Sequence, residues 1–258
     1  MSAAAPSTNR PTLSLIVITR DEEALIGQCL RSAWFCAEKI VIDSFSTDRT
    51  VEIARELGAK VEQHAFTNYL MQKQMALDRA TGDWVLLMDA DEQATHDLGV
   101  EILTTISAPD ALDGYTIRRV LYHLDHFFTR PLYPDNPIRL FRRDRGRIGG
   151  LDPHDKVLVD GKVGRLRGSI LHFSYKDIAD HVSTINRFST RSANEIQPTV
   201  FTPIQMLANP TWRFFNTYFL RGGFRDGARG LYVAMTSAFY VFLKYAKIYE
   251  RKIRARRR

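Results

Sequence analysis

The chain has 258 residues, 45% of them hydrophobic and 25% charged. That is enough for a sizeable core and excludes a disordered or fibrous class. Its formal charge of +7 is uneven: from Trp212 to Arg258, 12 Lys or Arg stand against 2 acids, so the basic character belongs to the tail and the rest is slightly acidic. The two cysteines, Cys29 and Cys36, lie seven apart, too far to bridge within a regular helix, and free thiols suit a reducing compartment. Met1 to Pro11 has no apolar run, so it reads as a disordered lead and not a signal peptide. No stretch reaches the ~20 apolar residues of a spanning helix.

Leu13 to Ile18 reads as a strand. Thr19 to Glu23 is the loop that follows it, and Leu25, Cys29, Ala33 and Cys36 at helical spacing predict a helix over 22–36. Lys39 to Asp43 is a second strand, Ser44 to Asp48 a polar turn, and Asp48 to Leu57 a helix stopped by Gly58. A short strand at 60–64 and a helix at 70–80 precede Gly82. Trp84 to Met88 is then an uninterrupted apolar run, as a central parallel strand requires, and it ends in Asp89, Ala90, Asp91 and Glu92. The alternation predicts an α/β fold with a mostly parallel sheet and right-handed crossovers. Thr95 to Ile106 is one more helix, after which Gly114–Leu121, Ile138–Arg143, Lys156–Asp160 and Ser169–Phe173 read as strands among Gly- and Pro-containing loops. The boundaries expected are a lead at 1–11, one domain at 12–200 and a tail at 201–258.

Ligands of open α/β sheets sit outside the carboxyl ends of the strands. Three strands end there in polar residues: Thr19, Asp21 and Glu22; Asp43, Ser44 and Asp48; Asp89 and Asp91. Two carboxylates at i and i+2 suit one hard divalent cation, which in turn suits the phosphates of a nucleotide. Asp43 is a candidate acceptor for a base or ribose, or else, like Asp48, a cap of the next helix. The chain has no Gly-rich phosphate loop of the Rossmann or Walker type, no nucleophile elbow, and too few cysteines for a zinc cluster. A diphosphate must therefore be held by a cation and basic side chains.

The runs Ile16–Glu23, Val41–Thr50 and Ala80–Glu92, in that order and spacing, resemble the family 2 glycosyltransferases, inverting enzymes with a GT-A fold. A narrower resemblance, to bacterial lipopolysaccharide inner-core glucosyltransferases that add β-linked glucose to heptose, rests on Arg139–Arg143, Leu171–Tyr175, Asn186–Thr190 and Arg221–Gly227. It implies that Thr19, Glu22, Asp43, Lys73 and Asp89 bind the nucleotide-sugar, and that Asp91, with His172, holds a divalent cation, Mg or Mn. It also implies that Asp155, in Pro153-His154-Asp155-Lys156, is the base that deprotonates the acceptor hydroxyl, with Asp152 as the fallback. Three positions depart from the family: Asp21 for the usual Asn, Lys73-Gln74 for Arg-Asn, and Asp155 where Glu is usual. These departures keep open a non-catalytic nucleotide-sugar-binding protein with the same fold.

In the tail, Leu231, Met235, Ala238, Phe242, Tyr245 and Tyr249 form a stripe at spacings of three and four, followed by basic residues from Lys244 to Arg258. A basic amphipathic helix with aromatic residues suits an anionic membrane surface; the alternative is a helix packed on its own domain with a solvated basic end. No nucleic-acid-reading motif accompanies these charges. The resemblance and the tail together predict a UDP-hexose donor, most simply UDP-glucose. They also predict a lipid-anchored lipopolysaccharide core acceptor and a peripheral position on the cytoplasmic face of the inner membrane.

Overall fold

A computed structural model describes residues 11–128, 136–151, 154–196 and 203–256, with the backbone alone at 151, 154, 155 and 256. They fall into two compact units. Unit 1 runs to Arg119 and resumes from Asn136 to His172; unit 2 takes Val120 onward and resumes at Phe173.

Unit 1 begins β1 (Leu13–Thr19), α1 (Ile26–Ser32), β2 (Glu38–Asp43), α2 (Thr50–Glu56), β3 (Lys60–Gln63), α3 (Tyr69–Arg79), β4 (Trp84–Asp89). It continues with β5 (Glu92–Ala94), α4 (His96–Ile106) and β6 (Gly114–His123), whose last four residues belong to unit 2 together with β7 (His126–Phe128). The strands β8 (Ile138–Arg142), β9 (Gly146–Leu151), β10 (His154–Val159) and β11 (Val163–His172) complete it. The sheet order is β3-β2-β1-β4-β8-β6-β11-β5. β3, β2, β1 and β4 are parallel, as the alternation predicts. β8 then pairs antiparallel to β4 and to β6, and β11 antiparallel to β5, so the sheet is mixed. The short β5 and the hairpin β9–β10 are too brief or too Gly-rich to announce themselves in the sequence.

The apolar runs are explained by burial on both faces. Leu15, Val17, Val41, Leu86 and Met88 pack on α1, α2 and α4, whereas Ile16, Ile40, Ile42, Val85 and Leu87 pack on α3 and on Ile148 and Val157 of the hairpin. Successive strand residues thus serve opposite cores. Gly82 precedes β4 because a side chain there would lie 2.8 Å from Ser14 Oγ. The helix expected over 22–36 is shorter: its stripe is buried at Cys29, Ala33 and Cys36. The Ser32 hydroxyl, however, donates to Cys29 O at 2.7 Å and the backbone leaves the helical region at Ala33. Such local competition for carbonyls ends helices.

Unit 2 holds the β6–β7 hairpin, α5 (Ile178–Glu195), α6 (Gln205–Phe215), a π-helical turn (Asn216–Leu220), a 3-10 turn (Gly223–Asp226) and α7 (Gly227–Arg256). Gly230 is required where α7 meets the 3-10 turn, since a Cβ there would fall 1.8 Å from Gly223 O. α5 packs along α7 through Ala193 and Ile248, with Ser192 Oγ 2.8 Å from Tyr240 Oη. Lys247 donates from Nζ to Asn186 O, Ser189 Oγ and Thr190 Oγ1 at 2.7–2.8 Å, and Arg251 donates to Ile196 O at 3.2 Å. Part of the tail's charge therefore binds α5 together. His181 Nδ1 lies 2.9 Å from Tyr232 Oη and its ring stacks on Tyr175.

Candidate functional site

The carboxyl ends of β1, β2 and β4 meet at one edge of unit 1 because these strands are adjacent and in register, Thr19 opposite Asp43 and Ile18 opposite Asp89. At the β4 end, Asp89 faces three cations. Its Oδ1 lies 3.3 Å from Lys73 Nζ, and its Oδ2 lies 3.0 Å from Arg139 Nη2 and 3.8 Å from Arg119 Nη1. Burial alone raises the pKa of this carboxyl, but the charges of Lys73, Arg139 and Arg119 outweigh that and hold it well below the usual carboxylate range. Glu92, wholly buried, accepts from the Asp89 backbone N–H at 2.9 Å and pairs with Arg139 at 2.9 Å and Arg119 at 3.3 Å. The turn from β4 into β5 is thus clamped by charge from β6, β8 and α3.

Asp91 projects from this turn. β5 pairs with β11 so that Glu92 stands opposite His172, and this register sets His172 Nε2 3.1 Å from Asp91 Oδ2. Burial lowers the His172 pKa, but the Asp91 carboxylate beside it raises it further, and the net direction is up. The two side chains are in direct hydrogen-bond contact. Among the described residues no three His, Cys, Asp or Glu converge on one point. One carboxylate and one imidazole would fit a divalent cation that accepts mixed oxygen and nitrogen ligands and takes the rest from a substrate diphosphate and water.

At the other end of the edge, the buried Thr19 hydroxyl has no hydrogen-bond partner among the described residues. Glu22 donates its N–H to Thr50 Oγ1 at 2.7 Å. Asp43 is wholly buried and accepts from Ser46 N and Gln63 Nε2, both at 3.0 Å, and from the Ser46 hydroxyl; its carboxylate braces the turn and does not cap α2. Asp48 accepts from Thr50 N at 3.0 Å, but α2 starts after Arg49 and carries no side-chain N-cap, so the cap expected of Asp48 is not formed. Asp21, at φ +53°, accepts from Thr47 N at 2.7 Å and ties the two loops. Phe45 is also left-handed, at φ +56°, and is 55% exposed beside Asp43.

Asp155 lies on β10 opposite Gly150; its side chain, and Asp152 altogether, are outside the described residues. The structure thus brings Lys73 and Asp89 together and Asp91 and His172 together, and sets Thr19, Glu22 and Asp43 along the same strand edge. Sequence reasoning gave no role to Arg119, Arg139 or Glu92. Arg139 and Glu92 stood in noted motifs, but only the sheet order, which puts β8 and β6 beside β4, shows what they touch.

The glycosyl transferase family 2 profile matches residues 14–162. The chain is 32% identical over 253 residues to the lipopolysaccharide core biosynthesis glycosyltransferase LpsC of Rhizobium meliloti, covering 93% of this chain and 92% of LpsC. It is 30% identical over 259 residues to an uncharacterized glycosyltransferase of Rickettsia typhi, covering 95% and 89%. In structure it resembles S. aureus TarS 1-349 at a TM-score of 0.51 and 14% identity, over 95% and 92% of the two chains, a likeness of fold. A sheet edge carrying Thr19, Glu22 and Asp43, an acidic turn clamped by three cations, and a sequence profile spanning both lead to one assignment: the chain belongs to glycosyl transferase family 2, with the GT-A fold, and is a glycosyltransferase.

Proposed function

We propose that the protein is an inverting transferase that moves a hexose, most simply glucose from UDP-glucose, to a heptose of a lipid-anchored lipopolysaccharide core. The observation that carries this reading is the Asp91–His172 pair beside the clamped Asp89. Asp91 and His172 hold a divalent cation, Mg or Mn, which when bound neutralises the departing diphosphate. Lys73 lies on the same side and offers its ammonium to the diphosphate or sugar. Asp89 stays ionised beside it and accepts from sugar hydroxyls. Thr19 and Glu22 line the nucleotide site beside β1, and Asp43 binds the base or ribose. Asp155 takes the proton from the attacking hydroxyl.

The acceptor class follows from LpsC, named for lipopolysaccharide core biosynthesis, and the uridine donor from the resemblance. TarS, whose fold is shared, is described in complex with UDP-GlcNAc and with UDP. The basic tail, residues 201–258, keeps the enzyme at an anionic membrane surface, in this reading the cytoplasmic face of the inner membrane. No helix among the described residues is long and apolar enough to cross a membrane.

The test is nucleotide release from a panel of UDP-, GDP- and dTDP-sugars with Mg or Mn, with and without extracted core lipopolysaccharide. Release from one UDP-hexose that needs the cation and rises with the acceptor supports the reading. Release that is indifferent to the cation, or confined to another nucleotide, refutes it.

A further inference from the structure

Unit 2 exposes apolar side chains in a way its own packing does not explain. In α6 none of the residues is buried. Ile204 is 72%, Leu207 74%, Trp212 60% and Leu220 61% exposed, and Phe215 and Phe219 are also exposed. Trp212, Phe215 and Phe219 follow at spacings of three and four; Trp212 stacks on Phe215 at 6.2 Å and Phe215 meets Phe219 in a tilted contact at 5.2 Å, so they lie on one side. A contiguous exposed apolar face of this size marks a contact with something apolar.

Next to that face, between α6 and α7, is a cleft of about 380 Å³ lined by Arg213, Arg221 and Lys244, with Asn209, Asn216 and Trp212. Among the described residues no carboxylate lines it. Burial and the neighbouring Arg213 push the Lys244 ammonium down, a strain that an anion in the cleft would relieve. Three cations and two amides converging beside an aromatic apolar face have the composition of a site for a phosphate monoanion whose other end is hydrocarbon.

We infer that α6 and the π-helical turn form a membrane-docking surface that lies in the plane of the bilayer, with the phosphate of an anionic phospholipid seated between Arg213, Arg221 and Lys244. This deepens the proposed function by assigning the membrane contact to a surface that the basic stripe of α7 does not provide, and it rests on that reading only for the identity of the lipid-borne acceptor. Apolar insertion makes the attachment resistant to salt, whereas a purely basic tail would be released by it.

The test uses the full chain with Trp34→Phe. This leaves Trp212 and Trp84, the latter buried in the unit 1 core. Phosphatidylcholine vesicles, the same vesicles with phosphatidylglycerol, and inorganic phosphate alone are compared. The inference expects Trp212 emission to shift to shorter wavelength on vesicles, to be quenched by acyl-brominated lipid, and to keep its shift at high salt. Arg213→Gln/Arg221→Gln/Lys244→Gln should weaken binding to phosphatidylglycerol vesicles by about tenfold or more and leave phosphatidylcholine binding unchanged. Leu207→Asn/Phe219→Asn should lose both, with unchanged circular dichroism.

Unquenched Trp212 on vesicles overturns the docking surface. A triple variant equal to wild type on phosphatidylglycerol overturns the phosphate seat. Saturation by inorganic phosphate with no vesicle binding assigns the cleft to a soluble phosphate compound. Self-association in sedimentation that shields Trp212, with no vesicle binding, assigns the face to a second copy. Nucleotide release from a soluble donor separates the two proposals: its absence with vesicle binding intact sinks the transferase reading alone.

Discussion

Arg139 Nη2 lies 3.0 Å from Asp89 Oδ2, and the same nitrogen lies 2.9 Å from Glu92 Oε1. One guanidinium, almost wholly buried, therefore holds two carboxylates at the turn that carries Asp91. Arg139→Ala should leave a buried charge uncompensated and cost about 3–5 kcal/mol, read as a lower midpoint in urea. Arg139→Lys keeps the charge but not the fork, so it should fold and lose turnover by about tenfold or more. Turnover equal to wild type in Arg139→Lys would show that charge alone suffices there.

Asp91→Asn keeps a hydrogen-bonding partner for His172, and both side chains are partly exposed. Its unfolding free energy should stay within about 0.5 kcal/mol of wild type, while cation-dependent nucleotide release falls by about a hundredfold or more. His172→Ala should behave the same way. Loss of stability in step with activity would instead make the pair structural.

Phe45 holds a left-handed backbone conformation and an exposed ring next to Asp43 at the strand edge proposed for the nucleotide. Bulky residues are rarely left so, and such outliers cluster at ligand clamps. A ring stacked on the base predicts that Phe45→Ala raises the donor KM about tenfold, as loss of one base–aromatic contact would, with kcat nearly unchanged. An unchanged KM excludes the contact.

Glu38 ties β2 to its neighbours, accepting from Ser14 Oγ at 2.6 Å, Lys60 Nζ at 2.8 Å and Thr81 N at 2.9 Å. Burial raises its pKa, but these donors overcome that and lower it to about 2, against an unfolded value of 4.5. The unfolded chain thus takes up the proton first as pH falls. The stabilisation is complete above about pH 4.5, is lost between there and about pH 2, and amounts to at most about 3 kcal/mol. Urea titrations of wild type and Glu38→Gln should differ at pH 7 and converge only as the pH falls to about 2.

His181 has the opposite charge type and the same slope. Burial, and then His123 beside it, lower its pKa to about 4 from 6.5. It stays neutral in the fold while the unfolded chain protonates, so stability should decline as pH falls from about 6.5 to about 4. His181→Gln should flatten that decline; an equally steep one in the variant would place the proton uptake elsewhere.

The first half of the fold was legible because its strands carry apolar runs and its helices carry stops, so β1 through β4 and α3 fall where the sequence puts them. The antiparallel half was only partly legible: β5 spans three residues and β7 three, too few for any period. α5 was missed because its buried side includes His181, Ser189 and Ser192, which do not register as an apolar stripe. Within the site, motif residues next to one another in sequence, such as Asp89 and Asp91, were readable. Arg119 was not, because its partners Asp89 and Glu92 lie about thirty residues away and meet it only through the strand order.

The three cations around Asp89 face two carboxylates, Asp89 and Glu92, and Asp91 brings the negative charges to three, so the turn carries no net positive charge. Under the proposed function, a nucleotide diphosphate arriving alone meets little net attraction and one opposing carboxylate. Cation and nucleotide must then favour each other's binding by the same factor, since coupling between two ligands is reciprocal. The species the enzyme captures is the cation–nucleotide complex, and each titrated in the absence of the other should bind weakly.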